Sequence, residues 1–337
     1  MAKAFTPTSV LDYEPVIDEA IPELIQALSE QQVVNICQTL TFATIDTAMR
    51  VSFSESLGFL KSRSDVGGLI QMIRNHFYHW GWWSSIPGLE RLIFRNPIAM
   101  RQSRPALGLV AVAVRQIQAR TSSSPLEKSE QKLDLLHNFM QASHEHPEAL
   151  SPAGIIGMLS STIAGAGDTT ATTMTAIIYY LLRNPACLTT LQNELDHAYL
   201  SETPSYAQVQ HLPYLSAVIR ESMRLFTLIT FPLERVVPSP GATICGAFFP
   251  TGTTVGCMPQ AIHLNSAAFG SDAAVFRPER WIGASGEKLR EMEAAHLGFS
   301  RGRRVCLGQN IAVLQMKKIV AAVVGKFDVS LVSFLYF

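Results

Sequence analysis

The densest chemistry in the chain lies near its C-terminal end, in Phe299-Ser-Arg-Gly302-Arg-Arg304-Val-Cys306-Leu-Gly308. Cys306 sits between a glycine-containing loop and a helix expected to begin near Gly308 and continue through Lys318 to Val324. Free backbone amides and the positive helix end favour a thiolate over a thiol at such a place. Cys306 is therefore expected to be a soft anionic ligand. Gly302 and Gly308 permit a tight loop and the close approach of a flat partner, and Arg304, two residues before the sulfur, can pair with an acidic group on that partner. A phosphatase-type Cys-x5-Arg loop is excluded because position 312 is Ala312.

A second constellation, Gly165-Ala166-Gly167-Asp168-Thr169-Thr170, falls midway along an apolar helical stretch. Glycine there costs about 1 kcal/mol relative to alanine, so a reason is required. Two are open: close helix packing, or access of a bulky group to the helix face, with a threonine hydroxyl bonding a backbone carbonyl and opening the ladder locally. A carboxyl–hydroxyl pair at that point could pass protons into a dry pocket. The third, Glu221-Ser-Met-Arg224, puts both charges on one helix face, and its neighbours Pro213, Leu215, Val218, Ile219, Leu225 and Phe226 make that helix largely apolar. In the fourth, Phe276-Arg-Pro278-Glu-Arg280-Trp281, Arg280 is a second arginine for the same carboxylate. Together Glu221, Arg224 and Arg280 predict a buried, mutually satisfied structural cluster.

The elements that must position these groups are mostly helical. Amphipathic helices are expected over Pro22 to Ser29 and Val33 to Arg50, and an aromatic-rich one over Leu69 to Trp83, terminated by Pro87-Gly88. Thr121 to Pro125 predicts a surface loop, followed by helix from Glu127 to Ser143. Ser151-Pro152 supplies a cap and a first-turn proline for the long helix over about 152–183, which Asn184-Pro185 stops. Further helices are expected from Ala186 to Tyr199 and from Pro213 to Phe226. Arg235 to Val237, Ala242 to Cys245 and Thr253 to Cys257 predict short strands. The fold class is mainly α with a small β region. Ile155 to Leu182 carries one charge, Asp168, in 28 residues, long enough to span a bilayer. That charge costs about 2.5–3.5 kcal/mol in a membrane, and with eight Ser/Thr in the stretch it favours a central buried helix instead.

Composition excludes several classes. With 27 basic and 27 acidic residues in 337, no field favours nucleic acid or anionic lipid. At 47% hydrophobic and 16% charged, against about 25% charged for an average domain, the chain is neither disordered nor collagen-like. Its five cysteines show no zinc spacing and fit a reducing compartment. The first residues, Met1 to Ser9, lack a signal-length apolar stretch, which predicts an intracellular location without a membrane anchor in this chain. His137, His144 and His146 are expected in a solvated loop, and the Phe77, Tyr78, Trp80, Trp82, Trp83 stripe as core or access-channel lining, with membrane or substrate contact as its functional reading.

These four motifs, in this order and at these separations, resemble cytochrome P450. Gly165 to Thr170 is similar to the family's oxygen-side helix motif, Glu221 and Arg224 to its E-x-x-R, Arg280 to the arginine of its P-E-R-[FW] segment, and Phe299 to Gly308 to its haem loop. Details around Ile155 to Arg183 and Pro232 to Val237 resemble the fungal, pisatin-demethylase-like group. The resemblance covers nearly the whole chain as a single partial domain, 1–337, lacking the family's N-terminal helices and strands, one propionate-clamping helix and its last C-terminal strands. It implies a haem-thiolate monooxygenase of an apolar small molecule, in fungal secondary metabolism. Cys306 would ligate the iron of heme b, with Phe299, Gly308, Arg304 and, as a second propionate contact, Arg235 holding the cofactor. Asp168 and Thr169 would carry protons, and Ala164, Gly165, Ile229, Thr230 and Phe231 would line the substrate pocket. Electrons would come from NADPH through a reductase at the cytosolic face of the endoplasmic reticulum, since no dinucleotide fingerprint is present. The competing reading is a non-catalytic remnant or scaffold.

Overall fold

In a computed structural model, which describes residues 2–83, 85–98, 108–122 and 133–332, the apolar periodicity resolves into helices that group in two compact units, residues 1–171 and 172–337. In the first unit, α1 (Ala20–Ser29) buries Ile21, Leu24, Ile25 and Leu28, the i, i+3, i+4 stripe of an amphipathic helix. It packs on α2 (Ile36–Phe53), whose residues from Leu40 onward are all buried. Asn35 caps α2 by accepting from the Gln38 amide at 3.1 Å, so the helix starts later than Val33 and runs past Arg50. Three charges inside this unit each have a specific partner set. Arg50 pairs with Glu19 and Glu23 at 3.2 and 2.8 Å. Asp46 accepts from Ser56 Oγ, the Gly58 amide and the Leu60 amide at 2.7–2.9 Å. Asp134 holds both Arg120 guanidinium nitrogens at 2.7 Å and caps the helix that follows it through the His137 amide.

Helix α3 (Leu69–Trp83) has the expected bounds. Pro87-Gly88, however, does not only end a helix: Pro87 is the first residue of α4 (Pro87–Phe94), where its missing N–H and fixed φ suit the first turn. The aromatic stripe is not core, with Trp82 80% and Tyr78 66% exposed. Helical periodicity identifies an apolar face without identifying anything to cover it. Helix α5 (Leu109–Ser122) includes Thr121 in its last turn, so the expected loop begins later; its remainder, with Glu127 to Gln131, lies outside the described residues. Helix α6 (Leu135–Glu145) carries His137 and His144, while His146 stands 3.6 Å from Glu148.

Helix α7 (Pro152–Arg183) runs unbroken from the first unit into the second. Ser151 Oγ accepts from the Gly154 amide at 3.2 Å at its start. Among the described residues no helix is long and apolar enough to cross a membrane.

The second unit continues with α8 (Pro185–His197) and α9 (Pro213–Leu225). Glu194 of α8 accepts the first amides of α9, Tyr214 and Leu215, at 2.7 and 2.8 Å, in place of the side-chain cap α9 lacks. Two antiparallel pairs follow. β1 (Leu233–Val236) runs against β4 (Thr254–Cys257) with Leu233 opposite Cys257. β2 (Ala242–Ile244) pairs with β3 (Ala247–Phe249) across a turn in which Cys245 and Gly246 adopt φ of 49° and 82°; β3 carries no alternation long enough to be expected. Helix α10 (Gly286–Ala295) packs Met292 with Ala217, Phe269, Ala273 and Trp281. Helix α11 (Gln309–Lys326) is buried on every side from Leu314 to Val324. Two lysines lie within that stretch, and Lys317 Nζ donates to the Gln210 carbonyl at 2.6 Å.

Candidate active site

The three-residue spacing on α9 brings Glu221 and Arg224 side by side with both side chains fully buried. Arg224 Nε and Nη2 donate to the two Glu221 carboxylate oxygens at 2.9 and 2.8 Å, the bidentate geometry a guanidinium fork prefers. The segment from Phe276 to Trp281 closes on the same carboxylate. The Arg277 amide and Arg280 Nε donate to Oε1, both at 3.0 Å, and Trp281 Nε1 donates to Oε2 at 2.9 Å. Glu221 therefore accepts five hydrogen bonds. Burial alone would raise its pKa, but Arg224, the Arg277 amide and Arg280 together hold it below the ordinary carboxylate value. The remaining guanidinium N–H groups are occupied as well. Arg224 reaches the His263, Ala273 and Val275 carbonyls at 2.7, 2.5 and 3.3 Å. Arg280 reaches the Phe269 carbonyl at 2.5 Å and both the side chain and carbonyl of Asp272. The structure thus assembles Glu221, Arg224 and Arg280 into one satisfied network.

Three further contributors to this core lie outside the Glu221, Arg224 and Arg280 set. Glu279 accepts from Tyr214 Oη at 2.7 Å. His263 is wholly buried. A Cβ on Gly298 would lie 2.7 Å from Met223 Cε and 2.8 Å from His296 Cε1, so a side chain there would require one of them to shift. Of these, Glu279 lies within the Phe276-to-Trp281 string and Gly298 stands directly before Phe299, whereas His263 carries no sequence signal.

The cysteine loop emerges from this core into solvent. Residues 301–307 are all exposed, including Val305 and Leu307. The Cys306 amide donates to the Phe299 carbonyl at 2.9 Å and the Val305 amide to the Gly302 carbonyl at 3.1 Å, closing the loop on itself. Ser300 and Gly302 take φ of 61° and 72°, a conformation that glycine adopts without strain. At Gly308 a Cβ would sit 4.0 Å from Cys306 Sγ.

Burial pushes the Cys306 thiol up, against the Gly308 and Gln309 amides, which favour the anion. Desolvation costs an anion more than a thiol, so the thiolate expected at this position needs a cation to hold it. A metal cation supplies this, since coordination deprotonates a thiol outright. The donor set fits a haem iron on that ground: an exposed cysteine whose anionic form the two neighbouring amides favour, flanked by the exposed apolar side chains Val305 and Leu307. Arg304 is exposed and forms no ion pair among the described residues, leaving its guanidinium for an acidic group. Arg235, on β1, is exposed and donates to the Glu234 carbonyl at 2.7 Å.

The oxygen-side motif belongs to the first unit up to Ala171. Its two glycines divide the two reasons considered for them. Gly167 is buried, with a Cβ position 2.6 Å from Ile45 Cγ1, and its carbonyl accepts from Thr44 Oγ1 at 2.5 Å; it serves the packing of α7 on α2. Gly165 is exposed and nothing lies within 4 Å of its Cβ position. Thr169 Oγ1 donates to the Gly165 carbonyl at 2.5 Å, yet the helix continues without a break. Asp168 lies 3.9 Å from Arg74 Nε of α3, both about two-fifths exposed. Of the proposed pocket residues, Ala164 and Gly165 lie in the first unit; Ile229, half-buried, and Thr230 and Phe231, exposed, lie in the second.

Comparison with known proteins gives one consistent result. The cytochrome P450 family matches residues 1–334. A cytochrome P450 monooxygenase of Aspergillus terreus is 33% identical over 347 residues, covering 98% of this chain and 70% of the relative. The P450 monooxygenase easK of Aspergillus fumigatus is 33% identical over 88% of this chain and 84% of its own length. The P450 monooxygenase mpaDE of Penicillium roqueforti is 31% identical over 99% of this chain. The chain spans only 40% of that last relative's length.

Proposed function

The chain belongs to the cytochrome P450 family, and from that premise we propose that it is a haem-thiolate monooxygenase acting on an apolar small molecule in fungal secondary metabolism, with electrons from NADPH through a separate reductase. The observation that carries the reading is the Cys306 loop: an exposed cysteine whose anionic form the Gly308 and Gln309 amides favour, projecting from a core fixed by Glu221, Arg224 and Arg280. When bound, heme b supplies the activation of dioxygen and the transfer of one oxygen atom to substrate.

The chain's own residues supply holding, orientation and protons. Cys306 would hold the iron through its sulfur, and the bond from its amide to the Phe299 carbonyl fixes the backbone from which that side chain projects. Arg304, with Arg235, offers guanidinium donors to the propionates. Phe299 and Gly308 bound the loop, and the absence of a side chain at Gly308 keeps the space beside the sulfur open. Asp168 holds a proton-exchanging carboxylate at the helix surface, where Arg74 keeps it partnered at 3.9 Å. Thr169 stores its hydroxyl proton on the Gly165 carbonyl and can turn it outward, because Gly165 presents no side chain to block it. Ala164, Gly165, Ile229, Thr230 and Phe231 are assigned to substrate contact, their small and apolar character fitting an apolar ligand.

The test is Cys306→Ala. Wild type loaded with heme b should give the strongly red-shifted Soret band that a thiolate ligand imposes on the reduced carbon monoxide adduct. The variant should lose that band while keeping its circular dichroism, because residue 306 is exposed and its removal leaves no cavity. Retention of the band in the variant would assign the ligand elsewhere.

A further inference from the structure

The core and the cysteine loop are joined through a residue that neither the motifs nor the resemblance singles out. His263 ends the short helix Pro259–His263 and is wholly buried. The Leu297 amide donates to its Nε2 at 2.8 Å. That nitrogen must therefore be the unprotonated one, and the ring carries its hydrogen on Nδ1. Nδ1 stands 2.9 Å from Thr227 Oγ1, which itself donates to the Arg224 carbonyl at 3.2 Å. The circuit closes in the other direction, because Arg224 Nη1 donates to the carbonyl of His263 at 2.7 Å. Every polar atom of the imidazole is thus committed, one side to the charge cluster and the other to Leu297.

Leu297 is two residues before Phe299, whose carbonyl receives the Cys306 amide. At Gly298, between them, a Cβ would meet Met223 of α9 and the ring of His296, and that ring stacks on His263 with centroids 5.3 Å apart. Two contacts therefore reach the same short segment from His263, a hydrogen bond at 297 and the stacked ring of 296.

We propose that His263 is a positioning residue for the cysteine loop: a neutral imidazole that ties Leu297 to the Arg224 side of the buried cluster and so sets where the loop leaves the core. Its relevance to catalysis rests on reading that loop as the haem site; the mechanical link does not.

The experiment is hydrogen–deuterium exchange on the full chain, as purified and without added haem, for wild type, His263→Phe and His263→Gln. Phenylalanine keeps ring volume and removes both nitrogens, whereas glutamine keeps an acceptor within reach of Leu297. In His263→Phe the Leu297 amide and the peptide spanning 297–306 should exchange about tenfold faster, the loss of one buried hydrogen bond. His263→Gln should recover most of that protection, and α2 should match wild type in both variants. Equal protection of 297–306 in wild type and His263→Phe would overturn the proposal, as would equal loss in the two variants, which would make the ring's shape alone responsible. Should His263→Phe fail to fold, Thr227→Val leaves the ring in place and strands only Nδ1–H; it should speed exchange at Leu297 by about threefold, and no change there would likewise overturn the proposal. A haem titration of the same samples separates this inference from the functional one. Wild type that fails to take up haem yet shows the exchange pattern removes the functional reading and keeps the link.

Discussion

The chain places charged groups in two opposite settings. Around Glu221 every carboxylate oxygen and guanidinium nitrogen described is occupied and all three principal side chains are buried. Around Asp168 a single ion-pair partner among the described residues stands at 3.9 Å, and both members are open to water. The first arrangement tolerates no removal, because a partner taken away strands a charge where water cannot reach it. The second can exchange protons and partners at small cost, as an exposed ion pair contributes about 0–1 kcal/mol. Burial and partner number thus separate a carboxylate held in place from one open to exchange, although both are acidic residues on helices.

The sharpest way to break this contrast is Arg280→Ala. It leaves Glu221 with Arg224, the Arg277 amide and Trp281 but takes away a buried cation and empties five hydrogen-bond contacts. The expected cost is about 3–5 kcal/mol, which should abolish soluble expression or reduce the urea midpoint severely. A variant that folds with an unchanged midpoint would mean that the network is dispensable.

Acid should loosen the first region. Burial, with His296 beside it, holds His263 down to about 4. Burial does the same for His296, which faces Arg220, Arg224 and Glu221. A histidine whose folded pKa lies below its unfolded value stabilises the fold fully above about pH 6.5, and that contribution is lost as pH falls toward 4, because the unfolded chain binds the additional proton. For His263 the loss amounts to about 3 kcal/mol. Glu221, also held low, adds its own loss below the ordinary carboxylate range. Urea unfolding at a series of pH values should show stability falling between pH 6.5 and 4, less steeply in His263→Gln. A flat profile would show that the rings are not held neutral.

What the sequence made legible follows the same division. The Glu221–Arg224 spacing and Phe299-to-Gly308 string are local patterns, and the structure puts those residues where the spacing implies. His263 and Gly298 act through neighbours far along the chain, and a single histidine in an apolar stretch carries no mark of which amide it will receive. Cys306 shows a related limit: a helix start is visible in sequence, whereas the desolvation that opposes an anion there depends on the tertiary surroundings. The exposed aromatic stripe on α3 follows suit, since periodicity defines a face but not its cover. Helix starts governed by one residue, such as Pro87, can be misread as stops because proline is compatible with both.

The smallest structural effect is expected at Thr169, and it is the most informative about function. Thr169→Ala gives up a hydroxyl that bonds back to the Gly165 carbonyl, and gains helix propensity of about 0.5 kcal/mol. Stability should therefore move by no more than about 0.5 kcal/mol in either direction. In a monooxygenase the hydroxyl is needed only when protons are delivered, so the variant should retain haem and substrate binding while reducing equivalents drain to peroxide in place of product. In a non-catalytic remnant the substitution should change neither quantity. Following NADPH consumption, peroxide and oxygenated product for both proteins with a complementary reductase decides between these outcomes. Arg74→Ala is the matched control: it frees Asp168 of its partner at equally small cost and should leave the peroxide fraction nearer to wild type than Thr169→Ala does. The reverse order would assign the proton-carrying role to the ion pair and not to the hydroxyl.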